Sequence, residues 1–171
     1  MTVSAFRTPT TLTLGDFTPQ PVVLDHGLPV DAFTTFDFST GTPLTVAVGS
    51  RFRVNPAMVI LITPVALVRI GALMTPALLA HEQIHYDVGF VIARQLAREF
   101  NAIDDANDLH LQARMRTLVN LHFTTRAGLI QTRYDRESNH SLNAHFQKYW
   151  SDKMAKCLAD PKAHEIGGWM L

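Results

Sequence analysis

The stretch "AMVILITPVALVRIGALMTPALLAHEQIHYD" (57–87) decides how the whole chain is read. Residues 57–80 are apolar and long enough to span a bilayer. Pro64, Arg69 and Pro76 interrupt them, however, and the polar His81-Glu82-Gln83-Ile84-His85 follows at once. The better reading is two buried strands, broken at Thr63-Pro64, followed by a helix start. Thr75-Pro76 supplies that start, with a hydroxyl cap before a proline at the first helical position. Ile84, Val88, Ile92 and Leu96 then recur every four residues, as a helix packed on a core requires. Asn101 marks its expected end.

Toward the N-terminus the chain is rich in Thr, Val and Phe, with frequent Pro and Gly. "PLTVAVGSRFRV" (43–54) alternates: Leu44, Val46 and Val48 share one face, and Phe52 and Val54 resume after Gly49-Ser50, which predicts a hairpin. Toward the C-terminus the spacing predicts a second helix from about Asp104 to Gln131, with Leu111, Met115, Leu118, His122 and Leu129 on its stripe. "RYDRESNHS" (133–141) reads as a polar kink. A third helix follows, with Leu142, Phe146, Tyr149 and Cys157 on one side, and stops near Pro161. The tail "KAHEIGGWML" (162–171) has no clear pattern. Strands followed by helices define an α+β class: an N-terminal antiparallel β-sheet packed on about three C-terminal helices. One domain is expected over residues 1–171, β-rich over 1–70 and helical over 75–160.

The 171 residues carry 15 Lys and Arg against 15 Asp and Glu. That balance argues against a nucleic-acid binder, which needs a basic excess to neutralise phosphates. No transmembrane segment is expected. The first residues, "MTVSAFRTPTTLTLGDF", lack a basic region followed by an apolar run, so they do not read as a signal peptide. Cys157 is the lone cysteine; it has no intramolecular disulfide partner, and no CxxC zinc pattern exists. Compartment and oligomeric state are left open.

His81-Glu82-x-x-His85 carries the chemistry. Residues four apart share one helix face, so two imidazoles can reach one zinc ion at about 2.0–2.1 Å. Glu82, beside the first ligand, reaches past the metal and can act as general base toward a zinc-bound water. A third protein ligand is needed. Valine at positions 88 and 91 rules out the extended HExxHxxGxxH arrangement, so that ligand comes from elsewhere. The candidates are His110, His122, His140, His145, Glu137 and Asp87. Asp87, six residues past His81, is rotated off the ligand face and reads as a support for a ligand or as a cap. His122 lies on an apolar stripe and reads as a core residue; His26 and His164 read as surface residues. The polar segment gathers Tyr134, Asp135, Glu137 and His140. His140 is the favoured third ligand and Glu137 the alternative. Tyr134 is a candidate donor to a developing oxyanion, and Asp135 can orient a ligand imidazole through its second ring nitrogen.

His81-Glu82-Gln83-Ile84-His85-Tyr86-Asp87 together with Tyr134-Asp135-Arg136-Glu137-Ser138-Asn139-His140 resembles the pattern HExxHxD … YDxx[ST]xH of a bacterial family, domain of unknown function 922. Its members are described, from the motif, as zinc-dependent proteases. The resemblance covers mainly residues 60–155. It implies a zincin-like fold, Zn2+ as cofactor, and His81, His85 and His140 as ligands. Two features depart from the family. Ser141 stands where a glycine usually follows the last histidine, and the export signal that members often carry is not visible.

The expectation is a zinc-dependent metallopeptidase acting on a peptide or protein substrate, with Glu82 as general base. The strand near "VILITP" (59–64) is expected to form the upper edge of the cleft, where an extended peptide can add. The rivals are a zinc-binding scaffold without turnover and a zinc amidase acting on a non-peptide amide. A DNA-associated zincin is disfavoured by the neutral charge.

Overall fold

The computed structural model describes residues 4–5, 9–163, 165–166 and 168–170; His164 lies outside them. The architecture is α+β. Eight strands come first: β1 (Ser4–Ala5), β2 (Phe17–Gln20), β3 (Val23–Asp25), β4 (Leu28–Val30), β5 (Ala32–Thr40), β6 (Thr45–Val48), β7 (Arg51–Val54) and β8 (Val59–Arg69). The helices α1 (Pro76–Ala102), α2 (Asp108–Val119), α3 (Ala127–Ser138) and α4 (Ala144–Ala159) follow. A short strand β9 (Asp104–Asp105) separates α1 from α2, and a π-helical stretch over Asn120–Arg126 joins α2 to α3. No helix among the described residues is long and apolar enough to cross a membrane.

The apolar run 57–69 forms one continuous strand rather than two. β8 pairs antiparallel with β5 along its length and parallel with β1 and β2 on its other side, so the main sheet is mixed rather than antiparallel. Proline in a strand lacks one ladder donor. Pro64 pairs with Phe36 of β5 and, among the described residues, falls between those that β1 (59–60) and β2 (66–69) engage. β6 and β7 form the expected hairpin about Gly49-Ser50, with Gly49 at φ 61°. The tail also closes into a hairpin, β10 (Glu165–Ile166) with β11 (Trp169–Met170), which no sequence pattern announced.

α1 starts as expected: the Thr75 hydroxyl accepts from Leu78 N at 3.1 Å and Pro76 follows. Every residue from Ile84 to Ala93 is buried, so the helix is covered on all sides rather than along one stripe. It packs on β5 and β8 on one side and on α3 and α4 on the other. At Gly89 the helix backbone meets the sheet. A Cβ there would lie 2.7 Å from Phe36 Cγ and 2.9 Å from Ile62 Cγ2.

The later helices differ from expectation in where they break and which face they bury. The second helix does not stop at Gln131. It runs on to Ser138, so Tyr134, Asp135 and Glu137 are helical, and the kink is confined to residues 139–141. Its buried face is Leu111, Met115 and His122, then Ala127, Ile130, Tyr134 and Ser138. The π turn, in which Ala127 N donates to His122 O, inserts a five-residue step. That step turns Ile130 inward and leaves Leu129 47% exposed, against the expected stripe. Leu142 lies in the turn before α4 and is exposed; in α4, Phe146 and Tyr149 face outward, and Gln147, Trp150, Met154 and Cys157 face the core.

Gly89→Ala is expected to lower stability by about 1–3 kcal/mol through overpacking, although alanine is the better helix former by about 1 kcal/mol. A lower urea midpoint with an unchanged slope checks this.

Candidate functional site

α1 and α3 build the site between them. His81 and His85 project from one face of α1, and Asp135 meets them from α3. Asp135 Oδ1 lies 3.0 Å from His81 Nε2 and 2.8 Å from His85 Nε2, and the two Nε2 atoms are 3.1 Å apart. These three atoms form a nearly equilateral triangle. Ligands about 2.0–2.2 Å from a tetrahedral zinc ion stand roughly 3.3 Å from one another, so the triangle is close to the size such an ion requires. His140 Nδ1 is 3.6 Å from the same Asp135 oxygen. His81, Asp135 and His140 each offer a ligand atom within 4.8 Å of the others. The donor set, two imidazoles and a carboxylate with a third imidazole in reach, suits zinc.

Asp135 was expected to orient a ligand imidazole through its second ring nitrogen; its Oδ1 meets Nε2 of both His81 and His85 and stands among the candidate ligand atoms. Burial favours its neutral form, but the hydrogen bonds from His81 and His85 outweigh that and hold the carboxyl well below the usual carboxylate range. Burial lowers the His81 imidazole, with Asp135 pulling the other way. For His85, burial is outweighed by the Asp135 hydrogen bond and by the charges of Asp135 and Glu82, so its imidazole is raised.

The support behind His81 comes from Ser138, the hydroxyl position of the second motif, and from Gln147, which belongs to neither motif. Gln147 Oε1 and Ser138 Oγ each lie 3.4 Å from His81 Nδ1, which turns Nε2 toward the site. Gln147 Oε1 also accepts from the Tyr134 hydroxyl at 2.7 Å. The signal for Gln147 was its place on the stripe 147, 150, 154, 157, a polar side chain on an otherwise apolar helix face. Thr34 of β5, buried beside Glu82, had no comparable signal.

Glu82 is 2% exposed and lines the cleft. Its Oε2 has no hydrogen-bond partner among the described residues. Burial pushes the carboxyl up, while His85 and Thr34 pull it down. A buried carboxylate free to exchange a proton is what a general base requires.

The remaining candidates are placed elsewhere. Tyr134 is fully buried, stacked on His81 with ring centroids 4.5 Å apart, and does not line the cleft; it backs the ligand rather than facing a reacting carbonyl. Burial drives its phenol far above the ordinary range, against the Gln147 hydrogen bond. Glu137 is engaged by Arg133 Nε at 2.7 Å and Trp150 Nε1 at 2.8 Å, which removes it as the alternative ligand. Asp87 accepts from Gln83 Nε2 at 2.8 Å rather than from a ligand imidazole. Gln83 in turn holds the N-terminal segment, accepting from Leu12 N at 2.6 Å. His122 is fully buried with Nε2 3.0 Å from Glu99, the core residue it was expected to be. His110 and His145 are exposed. His26 is exposed as expected, but it stands at the cleft mouth beside Asp25.

The turn carrying His140 is strained. Asn139, His140 and Ser141 have φ of 48°, 47° and 75°, three successive non-glycine residues in the left-handed region. Ser141 is the position where the family resembled above carries glycine, the residue that adopts this conformation without steric conflict.

The strand bordering the cleft is β5 rather than β8. Ala32, Phe33 and Thr34 line it, whereas β8 is paired on both sides and reaches the cleft only through Arg69 at its end. No family model, curated protein or solved structure matches the chain.

Two outcomes are expected. Ser141→Gly relieves roughly 1 kcal/mol of left-handed strain, which for a domain of this size raises the melting temperature by about 2–4 °C. Asp87 is pushed up to about 6 by burial, with Gln83 pulling it down. Its folded pKa thus exceeds its unfolded value. The associated stability is full below the unfolded value near 3.8 and is lost as pH rises through about 6. Asp87→Asn in metal-free protein is therefore more stable than wild type at pH 7.5, by on the order of 2 kcal/mol. Urea titrations at the two pH extremes check that the gain vanishes below pH about 4.

Proposed function

We propose that the protein is a zinc-dependent metallopeptidase with a zincin-like arrangement of an HExxH helix beneath an edge strand. One observation carries the reading: His81 Nε2, His85 Nε2 and Asp135 Oδ1 converge within 3.1 Å of one another beside the buried Glu82. His81, His85 and Asp135 would hold the ion, with the His140 imidazole within reach of the same Asp135 oxygen. A bound zinc ion supplies Lewis acidity and brings a water's pKa to about 7. Glu82 takes a proton from the attacking water and returns it to the leaving amine. Gln147, Ser138 and Tyr134 keep His81 in one orientation and tautomer. An extended peptide adds to the free edge of β5, where Ala32, Phe33 and Thr34 border the cleft.

The second reading is a closed zinc site without turnover. It is favoured by His140, whose Nδ1 is near enough to Asp135 to act as a fourth protein ligand.

Metal content and peptide hydrolysis of purified wild type, Glu82→Gln, Asp135→Asn and His140→Ala separate the two. The expected result is one zinc per chain in wild type, Glu82→Gln and His140→Ala, and loss of zinc in Asp135→Asn. Hydrolysis by Glu82→Gln falls by about 10²–10⁴. Loss of zinc in His140→Ala with retention in Asp135→Asn would restore His140 as third ligand. Stoichiometric zinc in wild type with no hydrolysis of any peptide favours the closed site. Wild type that takes up no zinc on reconstitution ends the zinc reading.

A further inference from the structure

Thr34 is the one polar residue buried in a strand among the described residues. It is 1% exposed and stands in the inward row Ala32, Thr34, Phe36 of β5. The contact of Phe36 with Gly89 fixes that row against α1. Glu82 is seven residues before Gly89, two turns and about 10.5 Å back along the same helix face. Along β5, Thr34 is about 7 Å and Ala32 about 13 Å from Phe36. On those spacings Glu82 falls opposite the stretch between Thr34 and Ala32, and all three residues line one chamber of the cleft.

The Thr34 hydroxyl finds no partner in the sheet. Ala66, its cross-strand neighbour on β8, carries only a methyl group, and no described strand pairs with the other edge of β5. Thr34 Oγ1 and Glu82 Oε2 are both buried and both without a hydrogen-bond partner among the described residues. Buried polar atoms seldom stay unpaired, and a hydroxyl proton rotates to suit the acceptor beside it. Against the burial that pushes the Glu82 carboxyl up, His85 and the Thr34 hydroxyl favour its charged form. Hydrogen bonds to a general base are often long before substrate binds and tighten once the reacting groups are in place.

We propose that Thr34 is a positioning residue whose hydroxyl donates to the buried Oε2 of Glu82, leaving the other carboxylate oxygen to take the proton of the attacking water. The role in catalysis rests on the peptidase reading; the hydrogen bond does not. It also accounts for threonine in an otherwise apolar row, where valine fills the same volume and suits a strand equally well.

Thr34→Val removes the hydroxyl at constant shape, and Thr34→Ser keeps it. Both are compared with wild type for zinc content, melting temperature and hydrolysis of the internally quenched peptide that wild type cleaves fastest. For Thr34→Val the expected result is unchanged zinc, an unchanged or higher melting temperature, KM within about twofold and kcat lower by about 10–100-fold. Thr34→Ser keeps kcat within about threefold of wild type. Unchanged kcat in Thr34→Val, or loss of activity in Thr34→Ser, overturns the proposal. So does loss of zinc or of folding in Thr34→Val, because the hydroxyl then serves the scaffold.

A second measurement needs neither zinc nor turnover. Carboxyl 13C NMR of the full-length metal-free protein at pH 7.5 follows the glutamate Cδ signals. Glu82, Glu99, Glu137 and Glu165 are the only glutamates, and Glu82→Gln assigns the first of them. The Glu82 signal is expected to move in Thr34→Val and to stay in place in Thr34→Ser. That result in a protein that cleaves no peptide leaves the hydrogen bond standing, and the peptidase reading is the one that falls. A Glu82 signal unmoved in Thr34→Val overturns the proposal whether or not peptides are cleaved.

Discussion

The close approach of α1 to the sheet at Gly89 governs the arrangement of everything around it. With no side chain at that position, the helix backbone sits against Phe36 and Ile62, and β5 and β8 are held directly over the turns that carry His81, Glu82 and His85. Those turns are then too deep for water to solvate freely. A histidine or glutamate on an ordinary surface helix would keep its solution properties. Here burial pushes the Glu82 carboxyl up and the His81 imidazole down, and the groups depend on one another for compensation.

α3 supplies that compensation, and the π turn decides how. A regular helix through Asn120–Arg126 would carry the Leu129 stripe inward. The five-residue step from His122 to Ala127 instead presents Ile130, Tyr134 and Ser138 to α1, with Asp135 at the edge of that face. One carboxylate oxygen then meets two imidazoles, and the next turn of helix delivers Ser138 behind His81. The left-handed run at Asn139, His140 and Ser141 reverses the chain so that His140 overlooks the same point while α4 returns with Gln147. Local backbone strain and an irregular helix thus occur where His81, His85, Asp135 and His140 converge, not in the scaffold that supports them.

The cleft inherits its asymmetry from its walls. Leu24, Asp25 and His26 with Gln131, Thr132 and Asp135 of α3 line one end, and Pro29 and Val30 of β4 with Leu73 and Leu142 line the other. The start of β5 borders both ends, with Ala32 lining each of them beside Glu82.

By itself the sequence determined the α+β class, the hairpin at Gly49-Ser50, the Thr75-Pro76 start of α1, and His81 and His85 on a single face with Glu82 next to the first of them. Each of these is written in local terms: a turn dipeptide, a cap, a four-residue spacing. Tertiary structure decided the rest. β8 continues through Pro64, which pairs with Phe36 of β5, because the long antiparallel register with β5 holds it on both sides of that residue. Asp135 rather than Glu137 joins the histidines because Arg133 and Trp150 already engage Glu137. Tyr134 backs His81 instead of facing the cleft because the π turn rotates it inward. Which atoms meet across 50 or more residues depends on the rotation of one helix against another, and a local pattern does not encode that rotation when the helix between them is irregular.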